Sequence, residues 1–168
     1  LGGFAEYLRD VGVNYARYVG LEGVPEMTEK SASLHLPRAS FHHVDFAADP
    51  DAFTTGVAES TGVRGGRPGG IIFSGSLNTF TMEAAQPILA RAWDACNESL
   101  VFNFLSDRVR GRRRDADTGP ARRFDTAAML DWALERTEFV ALRHDYLPDG
   151  HDATIVMRRA PEVVLEEE

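Results

Sequence analysis

The stretch "YVGLEGVPEM", Tyr18–Met27, joins a short apolar run, a carboxylate, a turn and the start of a helix. Tyr18–Leu21 has the composition of a strand buried on both faces, and Glu22 follows its last apolar residue. Gly23 predicts a turn, and Pro25 suits the first position of the helix that comes next. Strand, turn and helix in this order are typical of parallel sheets. The question is then what function the acid at the end of the strand has.

The same pattern recurs further along the chain. "SFHHVDF", Ser40–Phe46, has the pattern of a strand that ends in Asp45, and Ile71–Phe73 begins a strand that leads into Ser74 and Gly75. Ligands of open parallel sheets bind at the carboxyl ends of the strands. The sequence therefore predicts that these polar residues and the acid of the first strand line one crevice.

The remaining segments complete an alternation of strands and helices. Apolar residues of Phe4–Val11 fall on one helical face, Ser99–Ser106 is strand-like, and Asp125 can cap a further helix. Two strand-like segments, Phe139–His144 and Ala153–Met157, are joined by a short link with Pro and Gly, which suits an antiparallel hairpin. We therefore predict an α/β fold, a doubly wound, mostly parallel sheet with a closing antiparallel hairpin.

Length and composition restrict the class of protein. The chain has 168 residues, the size of one domain, and its single cysteine, Cys96, cannot form an internal disulfide. No apolar run approaches the ~20 residues of a membrane helix, no secretion signal opens the chain, and the net charge of -8 argues against a nucleic-acid partner. We predict a cytoplasmic protein without membrane association, with one domain over residues 1–160 and an acidic tail over 161–168.

One segment is positively charged, although the chain as a whole is acidic. Asp107–Arg123, "DRVRGRRRDADTGPARR", contains seven arginines in seventeen residues. A run of like charge usually marks a solvated loop. The alternative is a lid or mouth for an anionic group, for which Arg112 is the candidate.

The order and spacing of these segments resemble class I S-adenosylmethionine-dependent methyltransferases of the small-molecule, methyltransferase-domain type. "LGGFAEYL" looks like the second half of the glycine-rich loop with its helix, "YVGLEGVPEM" like the ribose-acid strand and "HHVDF" like the adenine-binding acid. "FSGSLNTF", "FNFLSD" and "LRHDYLPDGHDATIVMRR" look like the segment after the fourth strand, the fifth strand and the closing hairpin. The resemblance covers nearly the whole chain and implies a Rossmann-like fold with S-adenosylmethionine as cofactor.

The resemblance also implies roles for individual residues. Glu22 would accept hydrogen bonds from the ribose hydroxyls, Asp45 would accept from the adenine amino group, and Phe46 would lie beside the ring. Gly2 would be the last glycine of the cofactor loop. Glu22 and Asp45 have the alternative roles of turn or cap residues, and Phe46 that of a core residue. The predicted cofactor-binding residues are Gly2, Glu22, Gly23, Asp45, Phe46, Ser74 and Gly75.

The family places its first strand, at the centre of the sheet, and the front of the glycine-rich loop just before the point where this sequence begins. Without that strand, its two neighbours would have unpaired backbone groups, and each buried one costs about 1 to 3 kcal/mol. We therefore expect that residues upstream of Leu1 are missing from this sequence, or that another segment takes that place.

The residues on the substrate side are less well defined. Candidates around the crevice mouth are Asp107, His144 and His151, and no catalytic residue and no metal ligand is assigned. His42 and His43 are adjacent and face opposite sides of a strand, which does not suit a metal site. The named substrate-side candidates are Tyr7, Asn78, Asn103 and Arg112.

The predicted function is transfer of a methyl group from S-adenosylmethionine to a small-molecule acceptor, in the sharper version an anionic one. A non-catalytic methyltransferase-like binding domain is one alternative. A nicotinamide-dependent oxidoreductase is a second, because an acid at this strand end also suits the ribose of NAD. An RNA methyltransferase that uses the arginine segment is a third.

Overall fold

The computed structural model describes residues 3–54, 66–111, 115–147, 149 and 151–160. The chain divides into two compact units, Leu1–Pro68 and Gly69–Glu168. The first contains a two-stranded sheet and the second a five-stranded sheet. The single domain over residues 1–160 stays a prediction, and the predicted acidic tail lies outside the described residues. Among the described helices, none is long and apolar enough to cross a membrane.

The first unit has the predicted succession of elements. α1 (Gly3–Asp10) is followed by β1 (Tyr18–Glu22), α2 (Pro25–Ala32) and β2 (Ala39–His43). Gly12, with a φ of 72°, lies just beyond the end of α1, where the sequence predicts that the helix stops. β1 and β2 run parallel, which requires the crossover connection that contains α2.

β1 is half-buried along its whole length, whereas its apolar run predicted a strand buried on both faces. Within the described residues, β1 pairs with β2 alone, so its other edge has no strand partner there. Packing across the pair is nevertheless tight. A Cβ atom at Gly20 would lie 2.5 Å from the ring of Phe41, so only glycine fits that position without displacing the ring.

The second unit confirms the predicted parallel strands and closing hairpin. Its elements are β3 (Gly70–Phe73), α3 (Met82–Ala95), β4 (Ser99–Ser106), β5 (Arg123–Phe124), α4 (Thr126–Leu134), β6 (Val140–Arg143) and β7 (Asp152–Arg158). Its sheet has the order β3-β4-β7-β6, with β5 paired to β4. β3 and β5 are parallel to β4, and β7 is antiparallel to both β4 and β6. The position of β7 between β4 and β6, and the short strand β5, were not predicted.

β4 organises the core of the second unit. Phe102 and Phe104 are fully buried, and the ring of Phe104 stacks on that of Phe124 with centroids 5.6 Å apart. Trp132 of α4 meets Phe102 edge-on at 6.1 Å. α4 begins at its predicted cap, Asp125, whose Oδ1 accepts hydrogen bonds from two amides of the first turn at 3.0 and 3.1 Å. The core therefore fixes the end of β4 beside the start of α4.

Candidate functional site

Two predicted acids lie at the same edge of the sheet in the first unit. Glu22 is the last residue of β1 and lies opposite His43, the last residue of β2. Asp45 follows two residues later, and the amide of Val44 donates to the carbonyl oxygen of Glu22 at 2.9 Å. Because both strands run in the same direction, their carboxyl ends bring the two acids to neighbouring positions.

Each acid uses one oxygen atom to hold its own turn. Oε1 of Glu22 accepts from the amide of Val24 at 3.2 Å, and Oδ1 of Asp45 accepts from Ala47 at 3.0 Å and Ala48 at 3.2 Å. From the described residues, Oε2 of Glu22 and Oδ2 of Asp45 accept no hydrogen bond. A carboxylate has about four acceptor sites, so the turn interactions leave capacity for ligand hydroxyl or amino groups.

The other predicted site residues of the first unit differ in their exposure and contacts. Phe46 is half-buried and contacts the ring of Phe53, with centroids 6.4 Å apart. Tyr7 is 58% exposed, and its ring lies 6.4 Å from that of Phe4. Gly23 is exposed, and its carbonyl oxygen lies 3.2 Å from a ring nitrogen of His43. Gly2 lies outside the described residues.

In the second unit, the end of β3 is connected to the middle of β4. The amide of Gly75 donates to Oδ1 of Asn103 at 2.6 Å. Gly75 has a φ of 73°, a conformation that favours glycine, whereas Ser74 before it is exposed. Thr154, which pairs with Asn103 across β4 and β7, donates to the hydroxyl of Tyr146 at 2.9 Å. The structure therefore brings together two residues, Gly75 and Asn103, that the sequence predicted separately.

The two remaining substrate-side candidates are Asn78 and Arg112. Oδ1 of Asn78 is buried and has no hydrogen-bond partner among the described residues. Its backbone carbonyl accepts from the amide of Arg122 at 2.7 Å, which ties this loop to the arginine segment. Arg112 lies outside the described residues.

A polar cluster that the sequence did not predict lies where β4 ends and α4 begins. Ser106 is fully buried, and its Oγ lies 2.8 Å from Oγ1 of Thr126 and 2.7 Å from Nε2 of His144. Asp107 accepts from the Thr126 amide at 2.9 Å, and Arg108 lies 3.2 Å from the same carboxylate. A serine after an apolar strand carries no pattern of its own, so only the positions of Asp107 and His144 near the predicted mouth signalled this cluster.

Electrostatics at the cluster keep Asp107 ionised. Partial burial, the largest influence, raises the pKa of its carboxyl group, but hydrogen bonds from the backbone and side chain of Thr126 and the charge of Arg108 together lower it. Burial has the dominant effect on Tyr146 and raises the pKa of its hydroxyl group. The cluster therefore contains one fixed negative charge at neutral pH.

Two cavities open beside this cluster. One, of about 560 Å³, is lined by Asp107–Gly111, and the other, of about 450 Å³, is lined by Arg108, Arg110, His144, Asp145, Leu147 and Asp149. Arg108 and Arg110 line both cavities. Among the described residues, no group of three or more histidine, cysteine or acidic side chains is arranged to hold a metal ion.

Comparison with known proteins gives matches at the level of structure. No protein-family model and no curated protein matches the sequence. Magnesium protoporphyrin IX methyltransferase (ChlM) from Synechocystis PCC 6803, solved with bound SAH, superposes with a TM-score of 0.61 at 12% identity, over 86% of this chain and 64% of that one. An O-methyltransferase family protein from Burkholderia thailandensis gives 0.64 at 14% identity, over 96% and 49%.

A third structure is matched over more of its own length. The N-methyltransferase NodS from Bradyrhizobium japonicum WM9 gives a TM-score of 0.60 at 13% identity, over 95% of this chain and 81% of that one. The chain thus spans about two thirds of the first of these structures and about half of the second. At these identities, the likeness establishes a shared fold.

Proposed function

We propose that this chain, which has the fold of class I S-adenosylmethionine-dependent methyltransferases, is an enzyme that binds S-adenosylmethionine and methylates a small-molecule acceptor. The observation that carries the proposal is the pair of acids, Glu22 and Asp45, at adjacent ends of two parallel strands. When bound, S-adenosylmethionine supplies a methyl group already activated on a sulfonium. The protein then has to bind, orient and exclude water, and needs no nucleophile of its own.

The acids fit the nucleoside part of this cofactor by their donor and acceptor chemistry. Ribose hydroxyls and the adenine amino group are donors, and each carboxylate retains one oxygen that is not used in its own turn. We assign the ribose to Glu22 and the adenine amino group to Asp45. Contacts of the cofactor with Gly2, Gly23, Phe46, Ser74 and Gly75 remain predictions of the sequence.

For the acceptor, we propose an anionic small molecule. Arg108 and Arg110 line both cavities of the second unit, and their guanidinium groups suit carboxylate or phosphate oxygens. Arg112, the arginine that the sequence singled out, is proposed to act with them.

The test is calorimetric titration of S-adenosylhomocysteine into the chain and into Glu22→Ala. A charged hydrogen bond contributes about 1.5 to 3 kcal/mol net, so the loss of the ribose contacts should weaken binding at least about tenfold. Glu29→Ala, which removes an exposed acid of the neighbouring helix, is the matched control and should bind as the parent does. Equal affinity of Glu22→Ala and the parent would remove the ribose role.

The alternatives predict different ligands. An oxidoreductase on this fold would bind NAD, and NAD would displace S-adenosylhomocysteine from the chain. A non-catalytic binding domain would bind neither. We expect S-adenosylhomocysteine to bind and NAD not to compete.

A further inference from the structure

The cavity of about 450 Å³ is lined by two segments of the chain that backbone hydrogen bonds hold together. Beyond the last residue pair of β4 and β7, the amide of Ser106 donates to the carbonyl oxygen of His151 at 2.9 Å. The amide of Arg110 then donates to the carbonyl oxygen of Asp149 at 2.7 Å. The side chains of Arg110 and Asp149 both line the cavity, so each extends into its wall from backbone that the other segment holds.

Asp149 has a backbone conformation that residues other than glycine rarely adopt. Its φ is 63°, and that of Gly111 is 62°. Aspartate is among the few residues with a side chain that enter this left-handed region. A Cβ atom at Gly111 would lie 3.2 Å from Oδ1 of Asp149, so the glycine leaves room for the carboxylate. Unusual backbone conformations of this kind cluster at ligand sites, and this one holds an acid at a cavity wall.

The cavity is lined by side chains of both charges, and some of these charges are already neutralised. Arg143 donates to both carboxylate oxygens of Asp145, at 2.8 and 3.1 Å. Arg108 lies 3.2 Å from the carboxylate of Asp107. The charges of Asp145 and Arg108 are therefore partly satisfied within the protein.

Arg110 and Asp149 differ from these paired groups. Among the residues that the structure describes, none makes a hydrogen bond or an ion pair with the guanidinium of Arg110 or the carboxylate of Asp149, and the two groups do not pair with each other. Both residues are exposed, and Leu147, which is 37% exposed, adds an apolar side chain to the same cavity. The cavity thus presents one positive group, one negative group and an apolar surface to a ligand.

A ligand with one charge satisfies only half of this arrangement. An anion that binds Arg110 would lie in the same cavity as the like charge of Asp149, and like charges brought together in a binding site reduce affinity. A molecule with an anionic group and a cationic group can pair with both side chains. The arrangement therefore discriminates against simple acids.

We propose that this cavity binds a zwitterion, a small molecule with a carboxylate or phosphate group and a protonated amine. Arg110 donates hydrogen bonds to the anionic group, and Asp149 accepts hydrogen bonds from the ammonium group. Leu147 contacts the carbon chain of the ligand. The inference rests on the proposed function, whose anionic acceptor it narrows to one that also has a cationic nitrogen.

Two sets of probes test the need for both charges, by titration into the chain with the NMR signals of each probe as the readout. 2-Aminohexanoate and 6-aminohexanoate differ in the separation of their charges, and hexanoate and hexylamine each lack one charged group. Phosphoethanolamine and ethyl phosphate make the same comparison with a phosphate group. We expect at least one zwitterion to bind at least about tenfold more tightly than the single-charge probes of its set. A smaller preference in both sets would overturn the inference.

Asp149→Asn tests the residue to which the preference is assigned. Asparagine also enters the left-handed region, so this variant loses the charge and keeps the backbone conformation. It should bind the preferred zwitterion at least about tenfold more weakly, and the matching simple acid as tightly as the parent does or more tightly. Arg110→Gln should weaken the binding of both, and Asp131→Asn on α4 is the control. An equal loss for zwitterion and simple acid in Asp149→Asn, or no loss for either, would overturn the role of Asp149.

Titrations in the presence and absence of S-adenosylhomocysteine separate this inference from the proposed function. If the chain does not bind S-adenosylhomocysteine, the proposed methyl transfer fails, and a zwitterion preference that Asp149→Asn removes would still establish the binding site. If S-adenosylhomocysteine binds and no zwitterion is preferred in either condition, the inference fails while methyl transfer stands.

Discussion

At the scale of single residues, the contact between Gly20 and Phe41 gives a direct test of packing in the first unit. Gly20→Ala would place a methyl group 2.5 Å from the Phe41 ring, and overpacking of this kind costs about 1 to 3 kcal/mol in the free energy of unfolding. Gly3→Ala is the matched control, since nothing lies within 4 Å of a Cβ there. Urea denaturation should show a loss for the first variant and no loss for the second.

Asp45 is expected to have a structural and a binding role that substitution can separate. Asp45→Ala removes the acceptor for the amides of Ala47 and Ala48 and should lower the free energy of unfolding by about 1 kcal/mol, as for a lost helix cap. Asp45→Asn retains an acceptor oxygen, so its stability should stay close to that of the parent. Both variants should bind S-adenosylhomocysteine more weakly.

A comparison of the two variants by denaturation and calorimetry checks this division. Parent-like affinity in Asp45→Asn would show that the negative charge is not needed for binding, and the cap would then be the whole role of Asp45.

Residue types and positions allowed Glu22 and Asp45 to be predicted because each follows an apolar run that is recognisable as a strand. The same reasoning could not find Ser106 or Thr126. Ser106 contacts Thr126 and His144, which lie 20 and 38 residues further along the chain, and no local pattern encodes such contacts.

At the scale of elements, the junction of β4 and α4 should make stability depend on pH. The folded-state pKa of Asp107 is lowered from the ordinary value of 3.8, although burial, the largest influence, opposes this; the hydrogen bonds from Thr126 and the charge of Arg108 prevail. A lowered pKa stabilises the fold at pH values above the ordinary one, and this stabilisation is lost as pH falls through the folded-state value.

Asp107→Asn should therefore be less stable than the parent at neutral pH, with a difference that shrinks below about pH 4. Asp131→Asn, which changes an exposed acid on α4, is the control. Denaturation series at several pH values measure the difference. If the difference in free energy of unfolding between Asp107→Asn and the parent stays constant from neutral to acid pH, the ionised Asp107 carboxylate does not stabilise the fold.

Most elements could be predicted because their periodicity is strong, as in α3 and β4. β5 escaped prediction because it has two residues, Arg123 and Phe124, which are too few for a pattern. The place of β7 between β4 and β6 escaped as well, because the short link predicts an antiparallel neighbour but not which further strand β7 joins.

At the scale of the whole molecule, charge distinguishes a small-molecule enzyme from one that acts on RNA. The chain has a net charge of -8, and seven of its seventeen arginines lie in one segment, Asp107–Arg123. We expect no binding of single-stranded RNA at physiological salt, measured by fluorescence anisotropy. Tight binding that weakens steeply with added salt would instead favour the RNA methyltransferase alternative.

The likeness to solved methyltransferases extends over 86 to 96% of this chain at identities of 12 to 14%. At this distance most side chains differ, so the likeness supports the fold and does not indicate which residues would bind an acceptor. Arg108 and Arg110 lie in a segment after β4 for which the sequence indicated only a run of positive charge, whereas His144 was named from the sequence as a candidate near the crevice mouth.

The proposed S-adenosylmethionine site is tested most directly by a titration of S-adenosylhomocysteine into the chain, with NAD as competitor. We expect saturable binding that NAD does not reduce and that Glu22→Ala weakens. Absence of binding, or displacement by NAD, would contradict the proposed site.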